Sequence, residues 1–465
     1  MPVEESVRSP IIVLTVVVSS FAFAIVQLDV TVVNVALPRI GTELHANVAA
    51  LQWVVDAYAL VFAVLMLSAG VLGDRIGARK VYVGGMAIFG LASLGCGLAP
   101  GMEALVAARA VQGLGAAAML PTSLTLLNHA CGHDAKLRAI AVGWWTAAGS
   151  VSIAAGPIVA GLLLGLGTWR SIFLINLPFC LAGLVLAWRI AETEPDRAGA
   201  RAFDLPGQAL AILALTGLIG AVIEARPLGF AHPLVLGGLA LFLVCGPLFV
   251  IIEQRTPQPL LPIRLFATPA FGIATTYGIA VNLTYYGVVF VLSLYLQRVR
   301  GYGATEAGLA YLPLTATFFG VNLLSGWLVG RIGPHWPMAL GVLVDALGFG
   351  LLLGLGPGSS YWAMLLPFAL MPAGMGTGVP AMTVLVLSSV EKGDSGVVSA
   401  ALNAARQAAG AVGVAIFGAL AGEQTQDIVG GLHAGAILAV GLLCAVAVLV
   451  VWGTRASTKT VPSTR

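Results

Sequence analysis

Charge is what this 465-residue sequence has least of: only 9% of its residues are Asp, Glu, Lys or Arg, against about 25% in soluble domains. With 59% hydrophobic residues and a mean hydropathy of +0.98, the chain cannot clothe itself in a solvated surface, which excludes a soluble globule. Cysteine is scarce as well. There are five, with no C-x-x-C pair, and four of them (Cys96, Cys180, Cys245, Cys444) stand in or beside apolar runs. They read as small hydrophobes, and neither a disulfide framework nor a metal site is expected. No Gly-Lys pair occurs anywhere, so the G-x-x-x-x-G-K-[ST] phosphate loop is absent and ATP is not the direct energy source. The six histidines, His45, His129, His133, His232, His335 and His433, are dispersed. His129 and His133 are four apart but lie in a predicted loop beside Asp134, where solvation is the default. An enzyme would need clustered catalytic groups, and a sensor or scaffold would need a sizeable soluble domain. The expectation is therefore no enzyme, no cofactor and no nucleic-acid partner.

What the chain does have is a succession of apolar runs. Hydropathy and turn signals divide it into fourteen candidate spans, at roughly 11–33, 49–69, 81–99, 103–127, 138–163, 171–190, 206–225, 232–252, 269–293, 306–329, 337–355, 361–387, 396–420 and 434–452, each near the ~20 residues that a helix needs to cross a ~30 Å core. A cytoplasmic N-terminus would put Arg8, Arg75, Arg79, Lys80, Lys136, Arg138, Arg189, Arg197, Arg201, Arg255, Arg264, Arg331, Lys392, Arg455, Lys459 and Arg465 inside. Only Arg39, Arg170, Arg226, Arg298 and Arg300 would fall outside, a bias that supports a multi-pass protein of the cell membrane with both termini cytoplasmic. Ala22-Phe23-Ala24 mimics a signal cleavage site, but Glu4, Glu5 and a lone Arg8 make a poor basic leader, so the first helix is read as uncleaved.

Distant segments repeat one another. Gly70-Val-Leu-Gly-Asp-Arg-Ile-Gly77 returns as Gly326-Trp-Leu-Val-Gly-Arg-Ile-Gly333, Gly113-Leu-Gly115 as Gly374-Met-Gly376, and Ala147–Ala154 as Ala408–Ala415. The near-constant offset is that of a duplication. It predicts a six-span N-terminal bundle over 1–190, a linker and two additional spans over 191–260, and a six-span C-terminal bundle over 261–465. The linker, Glu192 to Asp204, is rich in charge and holds Pro195 and Gly199.

The eleven residues Gly70-Val-Leu-Gly-Asp-Arg-Ile-Gly-Ala-Arg-Lys80 pack four charges between two apolar runs and are read as a tight link between spanning helices, with Asp74 facing Arg75, Arg79 and Lys80. Short cytoplasmic loops collect Arg and Lys for topology alone, but the spacing G-x-L-x-D-R-x-G-x-R-K resembles the loop signature of the major facilitator superfamily. Leu28-Asp-Val-Thr-Val-Val-Asn-Val-Ala-Leu-Pro38 resembles the first-helix motif of its drug:proton antiporter branch with fourteen transmembrane helices, and the six-two-six plan is similar. Leu105-Val-Ala-Ala-Arg109-Ala-Val-Gln112-Gly113 matches the family pattern L-x-x-x-R-x-x-Q-G. Gly156-Pro157 with Gly161 resembles a motif of exporters, although Ala160 stands where a second glycine is usual. Asn403-x-x-Arg406-Gln407-x-x-Gly410-x-x-Gly413 matches a further family string.

The resemblance implies an all-α integral membrane protein with the major facilitator fold: two six-helix pseudo-repeated bundles plus two inserted helices, with the substrate near the midplane between the halves. It implies proton-coupled efflux of lipophilic small molecules, cations and antibiotics among them, by a monomer whose partners are the substrate, protons and membrane lipids. The alternative is an exporter or flippase of a lipid or a specific natural product.

An ionisable group deep in a span costs roughly 2.5–3.5 kcal/mol on insertion scales, so each needs a reason. Asp29, in the first span, stands beside a polar stripe of Gln27, Thr31 and Asn34 at helical spacing and is the first candidate for proton coupling; a structural bond to a neighbouring helix is the alternative. Arg109 is the second, because its guanidinium stays protonated and is a fixed charge favouring the ionised form of a nearby carboxylate. The repeat sets Leu370 against Arg109, so the second half lacks that charge. Asp56 is either a third coupling group or a solvated cap at the outer end of its span. Asp345, on a span that in this superfamily supports the core, is given a helix-contact role. The cavity candidates are Asn34, Gln112, Asn282, Tyr285, Tyr286, Phe290, Phe318 and Asn322, which offer aromatic and amide groups. Gating is assigned to Gly70, Gly73, Asp74, Arg75, Gly77, Arg79, Lys80, Gly156, Pro157 and Arg406. Trp169-Arg-Ser-Ile-Phe173 with Asn176 and Pro178 is read as an interface anchor, and Glu224 with Arg226 as lying at an outer membrane surface.

Overall fold

Apolar runs of this length can cross a membrane only as helices, which satisfy every backbone N–H and C=O internally. In the computed structural model the described residues are 10–132, 134–190, 192, 203–388 and 395–458, and no strand occurs among them. Most of the expected linker lies outside them, as do Arg8, His133, Arg197, Arg201, Lys392, Lys459, Arg465 and both chain ends. The helices are α1 (Pro10–Glu43), α2 (Val48–Ile76), α3 (Ala78–Gly97), α4 (Met102–Cys131), α5 (Ala135–Leu166), α6 (Ser171–Leu174), α7 (Asn176–Ala187), α8 (Leu205–Leu228), α9 (Pro233–Arg255), α10 (Pro269–Leu294), α11 (Ala304–Ala310), α12 (Leu312–Ile332), α13 (His335–Leu351), α14 (Tyr361–Ser388), α15 (Ser395–Ala421) and α16 (Thr425–Thr458).

Thirteen stretches among the described residues are long and apolar enough to span, and the sixth expected span is the exception. Its apolar helix, Ser171–Ala187, is shorter and is interrupted between α6 and α7. The tenth expected span is likewise interrupted between α11 and α12, the second segment starting at Leu312-Pro313. The largest difference from the sequence reading concerns the Gly70–Lys80 link. It is helical up to Ile76, and α3 begins at Ala78, so the whole turn falls on one residue. Gly77 carries it with φ 100°, a conformation that a side chain makes costly, while its N–H still closes α2 on the Gly73 carbonyl at 2.9 Å. Charges at a membrane surface do not break a helix, so the charged motif extends α2 and opens α3.

The chain divides into two compact units, the first comprising 1–217, 240–260 and 304–309, the second 218–239, 261–303 and 310–465. In the first, α1 packs on α5, α4 lies against both α2 and α3, and α3 packs on α7. In the second, α10 packs on α15, α14 lies against both α12 and α13, and α13 packs on α16. The same helix pairings recur in the same order.

Glycine makes the close crossings possible. A Cβ on Gly113 of α4 would stand 2.5 Å from the Tyr58 carbonyl oxygen of α2, and one on Gly115 would stand 2.6 Å from the Phe89 nitrogen of α3. In the second unit a Cβ on Gly374 would stand 2.5 Å from the Asp345 nitrogen of α13. By this packing Gly374 plays the part of Gly115, so the register of the repeat moves by two residues and Phe368 takes the place that the sequence alignment gave to Leu370. Phe368 is fully buried and stacked on Tyr311, ring centroids 5.9 Å apart; the second unit has an aromatic pair where the first has a guanidinium. Gly113→Ala should destabilise the purified protein by about 1–3 kcal/mol through overpacking, read as a drop in thermal midpoint. Gly84→Ala, with nothing within 4 Å of the added Cβ, is the control; equal midpoints would contradict the close-crossing account.

Candidate functional site

Asp29 and Arg109 meet in the core of the first unit. Asp29 on α1 is 0% exposed and Arg109 on α4 is 1% exposed, with Arg109 Nη1 2.5 Å from Asp29 Oδ2. The same nitrogen donates to Gln112 Oε1 at 2.7 Å, and Arg109 Nε donates to the Val54 carbonyl of α2 at 2.9 Å. Asp29 Oδ1 accepts from Gln112 Nε2 at 2.8 Å and from Asn176 Nδ2 at 3.1 Å. Gln112 Nε2 also donates to Ser93 Oγ at 2.9 Å. The guanidinium lies over the Tyr58 ring at 4.3 Å and near that of Phe173 at 5.8 Å, an added electrostatic attraction. Five helices therefore contribute to one desolvated network: α1, α2, α3, α4 and the start of α7. A buried pair of this kind depends on the further hydrogen bonds that its remaining donors and lone pairs make.

The sequence reading placed Asp29, Arg109 and Gln112, but assigned Gln112 to the substrate cavity; it is 0% exposed and its polar atoms are committed to the network. Ser93 and Tyr58 were missed, and Asn176, expected as an interface anchor, is a direct partner of the acid. The available signal was burial: an Asn following Ile175 at the head of an apolar helix needs a polar partner. Nor does the acid share the polar stripe. Thr31 donates to the carbonyls of Gln27 and Leu28, both at 2.9 Å, and Asn34 Nδ2 to that of Val30 at 2.8 Å, so these groups serve their own helix while Asp29 turns into the bundle.

Asp56 is 0% exposed, and neither carboxylate oxygen has a hydrogen-bond partner among the described residues. That geometry does not fit a solvated cap. In the second unit Asp345 is 2% exposed with its backbone against Gly374. Asn282 is buried and donates to the Gly278 carbonyl at 2.8 Å, Phe290 is fully buried, Phe318 is 8% exposed, and Tyr285 and Tyr286 make an edge-on pair with centroids 5.5 Å apart. Asn322 is half-buried. Arg406 lies along α10, where a Cβ on Gly278 would meet its Cγ at 3.0 Å. A separate apolar groove of about 640 Å³ runs between the N-terminal halves of α1 and α5, walled by Val13, Val17, Phe21, Ile140, Trp144 and Val151. None of the cavity residues expected from sequence lines it.

The residues assigned to gating make local contacts. Arg79 donates to the carbonyls of Ala187 at 3.0 Å and Trp188 at 2.9 Å, tying the start of α3 to the end of α7, and stands 3.6 Å from Glu192. Gly73 packs against Thr122, and Gly70 lies near Pro121. Asp74 and Lys80 are exposed, and Arg75 sits 4.8 Å over the Phe203 ring. Gly156 packs on Thr31. Beside Pro157, the Gly161 carbonyl accepts from Thr305 Oγ1 at 2.8 Å, so the glycines of this motif are where α5 receives α11. Arg226 donates to the carbonyls of Ala419 and Leu420 and pairs with Asp427 at 3.2 Å. No cluster of three or more His, Cys, Asp or Glu suited to a metal occurs among the described residues.

Residues 19–414 match the Major Facilitator Superfamily. The chain belongs to that superfamily. It is 35% identical over 451 residues to a methylenomycin A resistance protein of Bacillus subtilis (strain 168), covering 95% of this chain and 96% of that protein. It is 36% identical over 408 residues to multidrug resistance protein Stp of Mycobacterium tuberculosis (strain CDC 1551 / Oshkosh), covering 88% and 75%. Among solved structures, a bacterial homologue of the human lysosomal transporter Spinster superposes with a TM-score of 0.68 at 17% identity, over 98% of this chain and all of that one. This major facilitator protein thus shares their fold, two six-helix bundles in a multi-pass membrane protein, with two more helices between them.

Proposed function

We propose that this major facilitator protein expels lipophilic small molecules, antibiotics among them, across the cytoplasmic membrane in exchange for protons, with Asp29 and Arg109 as the coupling pair. The observation that carries the reading is that ion pair, 2.5 Å long and 0–1% exposed, in a chain with 9% charged residues. The resistance activities of its relatives support the export of drugs, and the α1–α5 groove is apolar enough for a lipophilic body.

The pair can work as a switch. While Arg109 stands against Asp29, the fixed guanidinium charge keeps the carboxylate ionised. When the bundles rock and that contact lengthens, the carboxylate takes a proton. Closing the contact on the other side of the membrane expels it. Asp56, buried without a partner, is the second candidate for protonation. Coupling is asymmetric, because the second bundle has no counterpart of Arg109. We further propose that 1–190 and 261–465 act as the two rocking bundles of a monomer, with 191–260 carrying the linker and inserted pair and both termini cytoplasmic. Proteoliposomes with an imposed pH gradient test the reading: lipophilic cations and neutral antibiotics should accumulate against their gradients only while the proton gradient lasts. Lipid movement without drug transport would support a flippase instead, and unchanged accumulation after the gradient collapses would refute coupling.

In the charged turn, Asp74 is proposed as a clamp made in one conformation only; the repeat has Gly330 in its place while keeping Arg331. A contact formed equally in both states could not bias them. Asp74→Asn should therefore slow turnover strongly while substrate affinity changes by less than about tenfold, or ~1.4 kcal/mol. Distance measurements across the cytoplasmic face check it, since an unchanged open-to-closed population in a transport-dead variant would refute the clamp.

A further inference from the structure

The second unit holds ionisable groups of its own, strung along one face of α14. Gly374, Gly378 and Met382 follow one another at four-residue steps and so share that face. Asp345 of α13 comes in at the first of them: a Cβ on Gly374 would lie 2.5 Å from its nitrogen and 2.6 Å from its Cβ. At the second, a Cβ on Gly378 would run into the Tyr277 hydroxyl of α10, which also lies beside Gly341, one turn before Asp345 on α13. Arg406 of α15 stands at the third, since a Cβ on Gly278 would meet both Met382 Sδ at 2.9 Å and Arg406 Cγ at 3.0 Å. Asp345 and Tyr277 are 2% and 0% exposed, and Arg406 is half-buried. Asp345 Oδ2, the Tyr277 hydroxyl and Arg406 Nε have no hydrogen-bond partner among the described residues. Eight residues of helix rise about 12 Å, which sets the acid and the stem of Arg406 two turns apart with the phenol between them.

The other ionisable groups described on the helices around α13 are committed elsewhere. On α14 Tyr361 bonds to the Ala310 carbonyl, and on α12 Arg331 is stacked on Trp327. On α16 Asp427 pairs with Arg226, His433 bonds to the Leu355 carbonyl, and Cys444 is exposed. His335 lies in the first turn of α13, and Tyr285 and Tyr286 of α10 face one another. In the first unit Phe89 holds the corresponding place beside Gly115, so the acid belongs to the second bundle alone. A carboxylate buried without a hydrogen bond or counter-ion is far costlier ionised than neutral. We propose that Asp345 is a second proton carrier of the exchange, keeping its proton while Arg406 stands off and releasing it when the guanidinium reaches it past Tyr277. This deepens the proton-coupled reading and rests on it. Arg406 is loosely held, its Nη1 donating to Asn403 Oδ1 of its own helix at 3.3 Å. A guanidinium does not give up its proton inside a protein, so its approach favours the ionised acid. The carboxyl O–H bond breaks, the proton leaves to water on the cytosolic side, and Arg406 keeps its own; withdrawal of Arg406 restores the neutral acid.

Two measurements on the full-length protein test this. In lipid nanodiscs, infrared difference spectra across a pH titration should show a protonated-carboxyl band that is lost in Asp345→Asn and kept in Asp29→Asn. In Arg406→Gln, which lacks the fixed charge, the same band should persist at an alkaline pH where wild type has lost it. In proteoliposomes with the membrane potential clamped at zero, the logarithm of the accumulation of a neutral lipophilic antibiotic should rise linearly with the imposed pH difference. The slope counts protons per substrate and should be lower by one in Asp345→Asn. A spectrum that Asp345→Asn leaves unchanged, or an unaltered slope in that variant, would overturn the proposal. The infrared readout needs no transport, so its failure leaves the coupling pair untouched, whereas a wild type that builds no pH-driven gradient would strike the coupled reading itself.

Discussion

Asp29→Asn is expected to reduce gradient-driven efflux to the level of empty liposomes. The substitution keeps the shape and the ability to accept hydrogen bonds, but removes the one group of the network that can exchange a proton. It also leaves a guanidinium buried without its counter-ion, a change that costs about 3–5 kcal/mol where nothing compensates. Arg109 retains the Val54 carbonyl, Gln112 Oε1 and the face of Tyr58, so the variant should insert and elute as a folded protein with a lowered thermal midpoint. Asp29→Glu, which restores the charge on a longer arm, should recover part of the transport. Efflux at the wild-type rate by Asp29→Asn would remove the residue from the mechanism.

The second large effect belongs to Arg109. Replacing it with Ala should uncouple the two fluxes: protons leak or stop, and substrate no longer accumulates against its gradient. Arg109→Lys should restore only a minor part. The site uses separate guanidinium nitrogens for Val54 on one side and for Asp29 and Gln112 on the other, with the planar group laid on Tyr58. An ammonium is a point charge without that fork, and it can give up its own proton when buried. Full coupled transport by the lysine variant would show that a fixed, planar cation is not required.

Much of this architecture could be read before any coordinates, and the reasons differ by element. The spans were legible because each must be about twenty apolar residues long, and the duplication because glycines at helix crossings recur where backbones touch. Asp29 and Arg109 were legible because ionisable groups inside a membrane are rare enough to stand out. What was not legible is which polar groups turn inward together. Ser93 and Asn176 are ordinary residues on helices distant in sequence, and only the packing of α3 and α7 against α1 and α4 brings them to the acid. Gln112 looked like a wall of the cavity because helical spacing gives its face but not the neighbour facing it. The Gly70–Lys80 stretch reads as a loop from sequence because charge and glycine signal turns in water, whereas here the helix runs on and Gly77 alone reverses the chain.

The central claim is that the Asp29–Arg109 pair ties proton movement to substrate movement. The most direct measurement records both fluxes at once in the same proteoliposomes, with a pH-sensitive dye inside and a labelled lipophilic substrate, for wild type and Arg109→Ala. Wild type should move protons and substrate in opposite directions at a constant ratio, and imposing either gradient should drive the other species. In Arg109→Ala that ratio should vanish. A constant ratio preserved in the variant, or substrate pumped by wild type with no accompanying proton flux, would contradict the account.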